Sequence, residues 1–379
     1  MKKVIVTGIS GQDGSYMVDY LLESTDFIIY GVMRRTSNPN YSNFHTHLGN
    51  KRFHLLTADL SDSQSIDNIV KQIQPDYFIN LAAQSFVGAS WQIPEQTFDV
   101  DAIGVLRCLE AIRKHVPLCR FYNAGSSEEF GDVKYIPQDE KHALSPRSPY
   151  GAAKCSARHI VKVYRESYNL FAVQGYLFNH ESPRRGEEFV TRKITKGIAR
   201  IAKCIQEKQS FKAIELGNVD SKRDWSHAKD FVNGIWKMLN QEIWRADLEP
   251  NDYKGCKYEK RHIQALKEYV LSSDETHSIR EFIDVAFKKA GIDGYWHGNG
   301  TNEEYSMSNN LLEIGDIKSS ILIKINPDFF RPAEVDILLG SSILARRDLQ
   351  WSPNHSFDDL VTDMINFDLK DVSPQNNNK

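Results

Sequence analysis

The feature that most constrains the fold is a short apolar run that passes directly into three evenly spaced glycines. Residues 3–7 read Lys-Val-Ile-Val-Thr, and Gly8-Ile9-Ser10-Gly11-Gln12-Asp13-Gly14 follows before a helical pattern. A continuous apolar run is typical of a strand buried on both faces of a parallel sheet. Glycines after such a strand let the backbone turn tightly and approach a pyrophosphate, which the N-terminus of the next helix attracts. We therefore predict that residues 8–14 bind a dinucleotide, although their G-x-x-G-x-x-G spacing differs from the G-x-G-x-x-G of many dehydrogenases.

The rest of the first 180 residues repeats this alternation of apolar runs and helical patterns. Further strands are predicted at Phe27–Met33, Phe53–Thr57, Tyr77–Leu81, Phe121–Ala124 and Phe171–Phe178, and helices at Gln12–Glu23, Ser63–Gln74, Glu95–His115 and Pro149–Tyr168. Such alternation requires crossovers between parallel strands. The predicted fold class is α/β, a doubly wound parallel sheet of the Rossmann type with a smaller α/β C-terminal substrate-binding region.

Length and composition set the domain organisation and the classes of partner. The 379 residues suit two domains: a dinucleotide-binding domain at 1–178 and a mainly substrate-binding region at 179–371. This region includes segments that return to the first domain and a polar insertion at about 244–267. A disordered tail at 372–379 follows the region. Lys and Arg number 47 against 50 Asp and Glu, which disfavours nucleic-acid or membrane-surface binding. We find no signal peptide, membrane span or metal-ligand spacing, and expect a cytoplasmic protein with a small-molecule substrate.

The end of the second strand indicates which dinucleotide binds. An NAD site usually places Asp or Glu there, to accept hydrogen bonds from the ribose 2′-hydroxyl. Arg34 and Arg35 stand there instead, and two guanidinium groups match a 2′-phosphate in charge and geometry. The alternative is a solvated basic turn; we predict NADP. Asp59 and Leu60, after the third strand, are placed to meet the adenine edge. The segment that follows the fourth strand offers small residues where a nicotinamide ribose must pass. It reads Leu81, Ala82, Ala83, Gln84 and Ser85.

The stretch Tyr150-Gly-Ala-Ala-Lys154 predicts the chemistry. Residues four apart share one face of a helix, and a lysine ammonium beside a tyrosine favours the phenolate. Tyr150 can then take a proton from a sugar hydroxyl as hydride leaves its carbon. Ser126, after the fifth strand, can hydrogen-bond the same substrate oxygen. Glu128 can remove a carbon-bound proton next to a new carbonyl group, although a surface carboxylate is the alternative interpretation.

Taken together, these segments resemble one family, the GDP-mannose 4,6-dehydratases, which are extended short-chain dehydrogenases/reductases. The resemblance is carried by Gly8–Tyr16 (GISGQDGSY), Ser126–Glu128 (SSE), Arg147–Lys154 (RSPYGAAK), Leu177–Lys193 (LFNHESPRRGEEFVTRK), Leu216–Asp230 (LGNVDSKRDWSHAKD) and Phe329–Asp336 (FFRPAEVD). It implies a hydro-lyase that converts GDP-D-mannose to GDP-4-keto-6-deoxy-D-mannose and water, the first step of GDP-fucose or related deoxyhexose synthesis.

The resemblance also implies a mechanism and an assembly. Tyr150 takes the C4 hydroxyl proton while bound NADP accepts hydride from C4. The 4-keto group acidifies C5, Glu128 removes the C5 proton, the C6 hydroxyl leaves as water, and the hydride returns to C6. A homotetramer, built as a dimer of dimers, is implied because the loop after the second strand reaches a neighbouring subunit in this family.

The resemblance also assigns site residues, some of which the preceding paragraphs already predict from the sequence pattern. Those on the cofactor side are Asp13, Gly14, Arg34, Arg35, Asp59, Leu60, Ser85, Tyr150, Lys154, His180 and Arg185. Those on the GDP-sugar side are Ser85, Ser126, Glu128, Asn179, Lys193, Arg223, Arg331 and Glu334. Four departures from the family stand out: Ser126 replaces a Thr, Glu129 and Phe130 replace an apolar residue and a Tyr, Gln96 replaces an aromatic residue, and the segment at 244–267 is longer.

Two alternatives stay open at this point. One is an epimerase, reductase or dehydratase of another nucleotide sugar. Glu128 disfavours the first two, because they need no base at C5, and Ser127 stands where dehydratases of other sugar nucleotides usually have Asp. The other is a non-catalytic NADP-binding protein, for which loss of Tyr150, Lys154 or Glu128 would be expected.

Overall fold

The computed structural model describes residues 1–241, 265–308, 320–330 and 337–372. They fall into two compact units. Unit 1 comprises Met1–His180, Ala228–Asp274 and Leu339–Asn354, and unit 2 comprises Glu181–His227, Glu275–Leu338 and His355–Lys379. Most of the predicted insertion at 244–267, and the predicted tail apart from Val372, lie outside the described residues.

The strands are short, and most are buried. In chain order they are β1 Lys3–Thr7, β2 Ile28–Met33, β3 Phe53–Thr57, β4 Tyr77–Asn80, β5 Arg120–Asn123, β6 Ala172–Gln174, β7 Tyr176–Leu177, β8 Asn179–Glu181, β9 Ile214–Leu216, β10 Lys222–Arg223, β11 Trp225–His227, β12 Val270–Leu271, β13 His277–Ser278, β14 Gly294–His297, β15 Glu304–Met307, β16 Ile321–Ile325 and β17 Ile337–Leu338.

The helices vary from one turn to about five turns. The α-helices are α1 Gln12–Ser24, α2 Ser63–Ile73, α3 Val87–Ser90, α4 Pro94–Phe98, α5 Gly104–His115, α6 Pro149–Tyr168, α7 Val190–Gln206, α8 Ala228–Leu239, α9 Ile279–Lys289, α10 Ile343–Leu349 and α11 Phe357–Asp371. Short 3-10 segments lie at His45–His47, Ser127–Glu129, Gly300–Asn302 and Pro327–Phe329, and a π-helical segment lies at Asp99–Ile103.

Unit 1 is built on a parallel sheet with the strand order β3-β2-β1-β4-β5-β6. Val4, Ile5 and Val6 of β1 are fully buried, as expected for a strand covered by helices on both faces. The strand order reverses direction between β1 and β4, which opens a crevice at the carboxyl ends of these strands. The predicted Rossmann-type sheet is confirmed, and the crevice is where its ligands are expected.

The helix predicted at Glu95–His115 is not continuous. It is divided into α4, the π-helical segment Asp99–Ile103 and α5. Gly104 begins α5 against Leu60, and a Cβ atom on Gly104 would lie 2.9 Å from the Leu60 Cβ. The segment therefore runs close to the residues that follow β3, and Asp101 within it is 1% exposed.

The strand predicted at Phe171–Phe178 is also interrupted. β6 ends at Gln174, β7 begins at Tyr176, and Gly175 lies between them. The Gly175 carbonyl accepts a hydrogen bond from the Arg158 guanidinium at 3.0 Å. A side chain therefore provides the hydrogen bond that a neighbouring strand would otherwise supply.

Helix α6 begins where its sequence indicates. Ser148 is the N-cap residue and accepts a hydrogen bond from the Gly151 N–H at 3.0 Å, and Pro149 occupies the first helical position. Both residue types are favoured at these positions. Because the start of the helix is fixed in this way, Tyr150 and Lys154 both lie in its first two turns.

Unit 2 contains a mixed sheet with the strand order β14-β15-β16-β9. The β14–β15 and β15–β16 pairs are antiparallel, and the β16–β9 pair is parallel. Its core is apolar and includes Ile198 of α7, Phe282 of α9, Leu322 of β16 and Leu360 of α11, all fully buried. Burial of one such side chain stabilises a fold by roughly 1.5–3 kcal/mol. No helix among the described residues is long and apolar enough to cross a membrane.

Candidate functional site

The phosphate cradle, Gly8–Gly14, is shaped by the absence of side chains. Gly8 has a φ of +71°, and a Cβ atom there would lie 2.7 Å from the Ala82 nitrogen. A Cβ atom on Gly14 would lie 2.3 Å from the Gly8 carbonyl oxygen. Gly11 is less constrained, since its nearest neighbour would be 3.3 Å away. The backbone can thus come close to a ligand, and the N-terminus of α1, where an anion is favoured, follows directly.

Asp13, Gln12 and His180 lie together beside the cradle. The Gln12 side-chain amide donates to Asp13 Oδ1 and to the His180 carbonyl, both at 2.9 Å. His180 Nε2 lies 2.9 Å from Asp13 Oδ2, and His180 Nδ1 lies 2.7 Å from the Phe178 carbonyl. Two residues assigned to the cofactor from distant parts of the chain are therefore brought into contact.

The rim of the crevice carries the residues predicted to select the cofactor. Arg34 and Arg35 follow β2 and are exposed, and neither forms an ion pair within the described ranges. Leu60 is buried, whereas Asp59 is partly exposed and accepts hydrogen bonds from the N–H and hydroxyl groups of Ser61. Residues 81–84 are partly exposed and Ser85 is exposed. These side chains line the carboxyl edge of the sheet, as predicted.

Residues 126–129 form a compact turn after β5. The Ser126 hydroxyl accepts a hydrogen bond from the Glu128 N–H at 3.2 Å, and the Ser126 N–H donates to Glu129 Oε1 at 2.8 Å. This reciprocal pattern is a capping box. Glu128 remains partly exposed, whereas Glu129 is fully buried. The two neighbouring glutamates therefore have different environments, and only Glu128 is accessible to a substrate.

Tyr150 and Lys154 lie on the same face of α6, and both are buried. Lys154 Nζ is 5.7 Å from the centroid of the Tyr150 ring and donates to the Ala124 carbonyl at 3.0 Å. Ser126 lies close enough to Tyr150 to lower the pKa of the tyrosine. The structure thus brings together the tyrosine, lysine and serine that the sequence predicted, and Glu128 lies in the same turn as Ser126.

Burial raises the pKa of Tyr150 well above its usual value, and Asp101 raises it further. The hydrogen bond from Ser126 lowers this pKa, whereas Glu128 and Glu129 raise it. Sequence reasoning considered the positive charges of Lys154 and of an oxidised nicotinamide, both of which favour the phenolate. In the protein chain alone burial outweighs that effect, so Tyr150 is protonated at neutral pH.

Sequence reasoning missed Asp101. Burial raises its pKa to about 6, while the Lys154 charge and the hydrogen bond from the Gln84 N–H lower it. Its Oδ2 atom is buried and has no hydrogen-bond partner among the described residues. The available signal was a carboxylate on what the apolar pattern predicted to be a buried helix face. A carboxyl group that titrates near neutrality beside Tyr150 and Lys154 is able to change the charge of the site.

The described part of unit 2 holds three of the residues assigned by resemblance. Arg185 pairs with Glu181 at 3.1 Å, and Arg223 is buried and donates to the Lys222 carbonyl at 2.8 Å. Lys193 lies with its Nζ 4.0 Å from the Phe329 ring centroid. Burial lowers the pKa of Lys193, which the charge of Glu215 partly offsets.

Lys193 also lines a cavity of about 740 Å³ within unit 2. The other side chains that give the cavity its character include Lys196, Arg200, Lys324, Glu215 and Phe329. A volume of this size suits a small-molecule ligand, and the excess of cationic groups favours an anionic one. Asn179 is partly buried in unit 1, and Arg331 and Glu334 lie outside the described residues.

Comparison with known proteins decides the family. The model of the GDP-mannose 4,6-dehydratase family matches residues 5–264 and 251–364. The chain belongs to this family. The GDP-mannose 4,6-dehydratase of Drosophila melanogaster is 42% identical over 97% of this chain and 86% of its own length. That of Yersinia enterocolitica is 41% identical over 98% and 94%, and that of Homo sapiens is 39% identical over 97% and 91%.

Solved structures of related folds agree with the architecture of a GDP-mannose 4,6-dehydratase family member. UDP-glucose 4-epimerase from Thermotoga maritima superposes with a TM-score of 0.72 at 19% identity, over 98% of this chain and 100% of that one. The dTDP-glucose 4,6-dehydratase from Bacillus anthracis, solved with NAD, has a TM-score of 0.71 at 18% identity, over 98% and 97%. At such identities the likeness shows the fold alone, and it confirms the predicted fold class.

Proposed function

We propose that this chain is a hydro-lyase that dehydrates GDP-D-mannose to GDP-4-keto-6-deoxy-D-mannose. The observation that carries the proposal is the grouping of Tyr150, Lys154 and Ser126 with a partly exposed Glu128, in a chain of this family. Hydride exchange at a sugar carbon needs only the first three. Water loss needs in addition a base for a carbon-bound proton, and Glu128 is placed to serve as that base.

The cradle supports a bound nicotinamide dinucleotide. Side chains at Gly8 and Gly14 would collide with the Ala82 nitrogen and the Gly8 carbonyl oxygen, so these glycines permit the tight turn that brings the backbone to a pyrophosphate, and the residues present fit the group. When bound, NADP supplies a reversible hydride acceptor. Arg34 and Arg35 would hold its 2′-phosphate, since both are exposed and neither is paired within the described chain. Asp13, Asp59, Leu60, His180 and Arg185, together with residues 81–85, would form its other contacts.

Tyr150 is the proposed acceptor of the C4 hydroxyl proton. Ser126 lowers the pKa of Tyr150 and so favours its phenolate. Lys154 adds positive charge from the next turn of the helix. Positive charge brought by an oxidised cofactor would lower the pKa of Tyr150 further and oppose the effect of burial.

Glu128 is the proposed base at C5, and Glu129 is not an alternative to it. The Glu128 carboxylate is partly exposed on the turn whose Ser126 meets Tyr150. Glu129 is fully buried and paired with Arg158. A base must reach within hydrogen-bonding distance of the proton that it removes, and only Glu128 is accessible for that.

Unit 2 is proposed to bind the GDP part of the substrate. Lys193 lines its cavity with Lys196 and Arg200, and cationic groups suit a diphosphate. By resemblance Asn179, Arg223, Arg331 and Glu334 complete the substrate contacts. We also propose a cytoplasmic homotetramer that acts in GDP-fucose or related deoxyhexose synthesis. Light scattering that shows a monomer at micromolar concentration would contradict this assembly.

Isotope transfer tests the function. GDP-mannose and a trace of NADP should give a product that has lost one water, with no net consumption of NADP. Substrate labelled with deuterium at C4 should yield product labelled at C6, and reaction in heavy water should place deuterium at C5. An epimerase would give neither water loss nor C5 exchange. Stoichiometric use of NADP, or release of the C4 label to solvent, would contradict the proposal.

The variant Glu128→Gln tests whether Glu128 is the base that removes the C5 proton. It keeps the size of the side chain and removes its basicity, so C4 oxidation should persist as reduced-nicotinamide absorbance while water loss falls about 10²–10⁴-fold. Glu166→Gln, an exposed position of α6, is the matched control and should dehydrate normally. Normal dehydration by Glu128→Gln would remove Glu128 from the proposed mechanism.

A further inference from the structure

We propose that Glu129 is a positioning residue: held by Arg158, it fixes Ser126 and Glu128 relative to the helix that carries Tyr150 and Lys154. The inference rests on the function proposed above. By resemblance an apolar residue stands at position 129 in this family, so the carboxylate is a departure that belongs to this chain.

A row of buried polar side chains leads to Glu129 across the sheet. Thr7, Asn80, Asn123 and Gln174 are neighbours in register on β1, β4, β5 and β6. The Thr7 hydroxyl donates to Asn80, the Asn80 amide to Asn123 and the Asn123 amide to Gln174, at 2.6, 2.7 and 2.7 Å. The Gln174 amide then donates to Glu129 Oε1 at 3.1 Å and to the Lys154 carbonyl at 3.0 Å. The row therefore links the end of β1, beside the phosphate cradle, to the turn and to α6.

Arg158 holds the Glu129 carboxylate from one helical turn beyond Lys154. Its Nε lies 2.5 Å from Glu129 Oε2, and a terminal nitrogen lies 3.2 Å from Oε1. Its other N–H groups donate to Glu268 and to the carbonyls of Gln174 and Gly175, at 2.7, 2.8 and 3.0 Å. Every donor of the guanidinium group is used, so its position, and that of the carboxylate, is strongly constrained.

Glu129 in turn restricts the position of residues 126–129. Its Oε1 atom accepts the Ser126 N–H at 2.8 Å, and the Ser126 hydroxyl meets Tyr150. Glu129 is fully buried, so it has no access to substrate and acts only through Ser126 and Glu128. The rival interpretation is a pair that contributes to folding alone, and buried pairs are weak evidence for stability.

Two variants at position 129 separate these interpretations. Glu129→Leu and Glu129→Gln both remove the charge that pairs with Arg158, but only the glutamine keeps an oxygen for the Ser126 N–H. We expect Glu129→Leu to lower kcat about 10²-fold with KM for GDP-mannose nearly unchanged, and Glu129→Gln to recover most of kcat. Equal losses of kcat in both variants, in proportion to their loss of folded protein, would overturn the proposal.

Amide hydrogen exchange tests the same point without substrate. In full-length Glu129→Leu, exchange should accelerate in the peptide that covers residues 124–131, while the peptides that cover β1 and α2 keep their wild-type rates. Unchanged exchange in residues 124–131 would overturn the proposal even where kcat falls. A wild-type protein inactive on GDP-mannose would instead contradict the proposed function and leave the exchange result standing.

If Glu129→Leu does not fold, Arg158→Lys provides the test instead. Lysine keeps the charge but lacks the planar fork that holds both carboxylate oxygens. It should lower kcat about tenfold and accelerate exchange in residues 124–131, and wild-type values of both would contradict the proposal. Arg113→Lys is the matched control, because Arg113 pairs with Glu110 on the surface at 2.9 Å, where such pairs contribute little.

Discussion

The phosphate cradle and the turn at residues 126–129 lie at the same edge of one sheet but are built in opposite ways. The cradle depends on missing side chains, since Gly8 and Gly14 leave no room for a Cβ atom. The turn depends on side chains that come from far along the chain, such as Arg158 and Gln174. The cradle lies within seven consecutive residues, so a sequence motif can indicate it. The contacts of the turn form only when folding brings distant residues together. The following changes test how independent the two regions are.

The largest effect is expected from Tyr150→Phe. Removal of the proton-accepting oxygen should lower kcat about 10²–10⁴-fold, while the dissociation constant for NADP stays at its wild-type value. Steady-state kinetics and fluorescence titration of the cofactor measure the two quantities. Turnover within a factor of about three of wild type would show that another base does this work.

Gly14→Ala is expected to weaken cofactor binding, the property that Tyr150→Phe leaves unchanged. Its methyl group would lie 2.3 Å from the Gly8 carbonyl oxygen, whereas that of Gly11→Ala would lie 3.3 Å from the same atom. Overpacking costs about 1–3 kcal/mol, so cofactor affinity should fall about 10–100-fold at position 14 and much less at position 11. Calorimetric titration of both variants provides the comparison, and equal affinities would mean that the cradle tolerates side chains.

An effect of similar size, but selective for one cofactor, is expected from the joint change Arg34→Ser and Arg35→Ser. Loss of charge-assisted hydrogen bonds to a 2′-phosphate costs about 1.5–3 kcal/mol, so affinity for NADP should fall at least about tenfold while affinity for NAD is unchanged. The measurement is the ratio of the two dissociation constants. If wild-type protein binds both cofactors equally, the arginines have another role.

The smallest effect, and one that depends on pH, is expected from Asp101→Asn. The pKa of Asp101 is raised to about 6 in the folded protein, so the folded state keeps a proton that the unfolded state has lost between about pH 4 and pH 6. Wild-type stability therefore falls as pH rises through that window, by at most about 3 kcal/mol. The asparagine variant lacks this loss. Its melting temperature relative to wild type should rise from pH 4 to pH 7.

The same substitution should alter the pH profile of turnover. Asp101 is the charge that most raises the pKa of Tyr150, so the acid limb of kcat/KM should move to lower pH in Asp101→Asn. A melting-temperature difference that does not change with pH, together with an unshifted profile, would show that Asp101 does not titrate in this range.

The parts of the site that sequence predicts are those that a local pattern records. The cradle, the parallel sheet and the Tyr150–Lys154 pair each depend on residues that are close in sequence. Glu128 and Glu129 are identical in sequence terms, and only burial and Arg158 distinguish them. Asp101 was missed because the pattern predicted a regular helix there, and the break at Gly175 was missed because its hydrogen-bond partner is a side chain of α6.

The π-helical segment Asp99–Ile103 determines how α4 is turned relative to α5. A π turn holds one residue more than an α turn, so the two flanking helices, α4 and α5, are joined with one residue in surplus. Deletion of Val100 would allow a continuous α-helix, in which each residue turns the chain by about 100°. If α5 keeps its register, Asp101 stays four residues before the buried Val105 and therefore on the same face of the helix, and the residues of α4 turn by about one position instead. A single-codon deletion there would therefore turn α4, rather than Asp101 or the core positions of α5, relative to the rest of the helix.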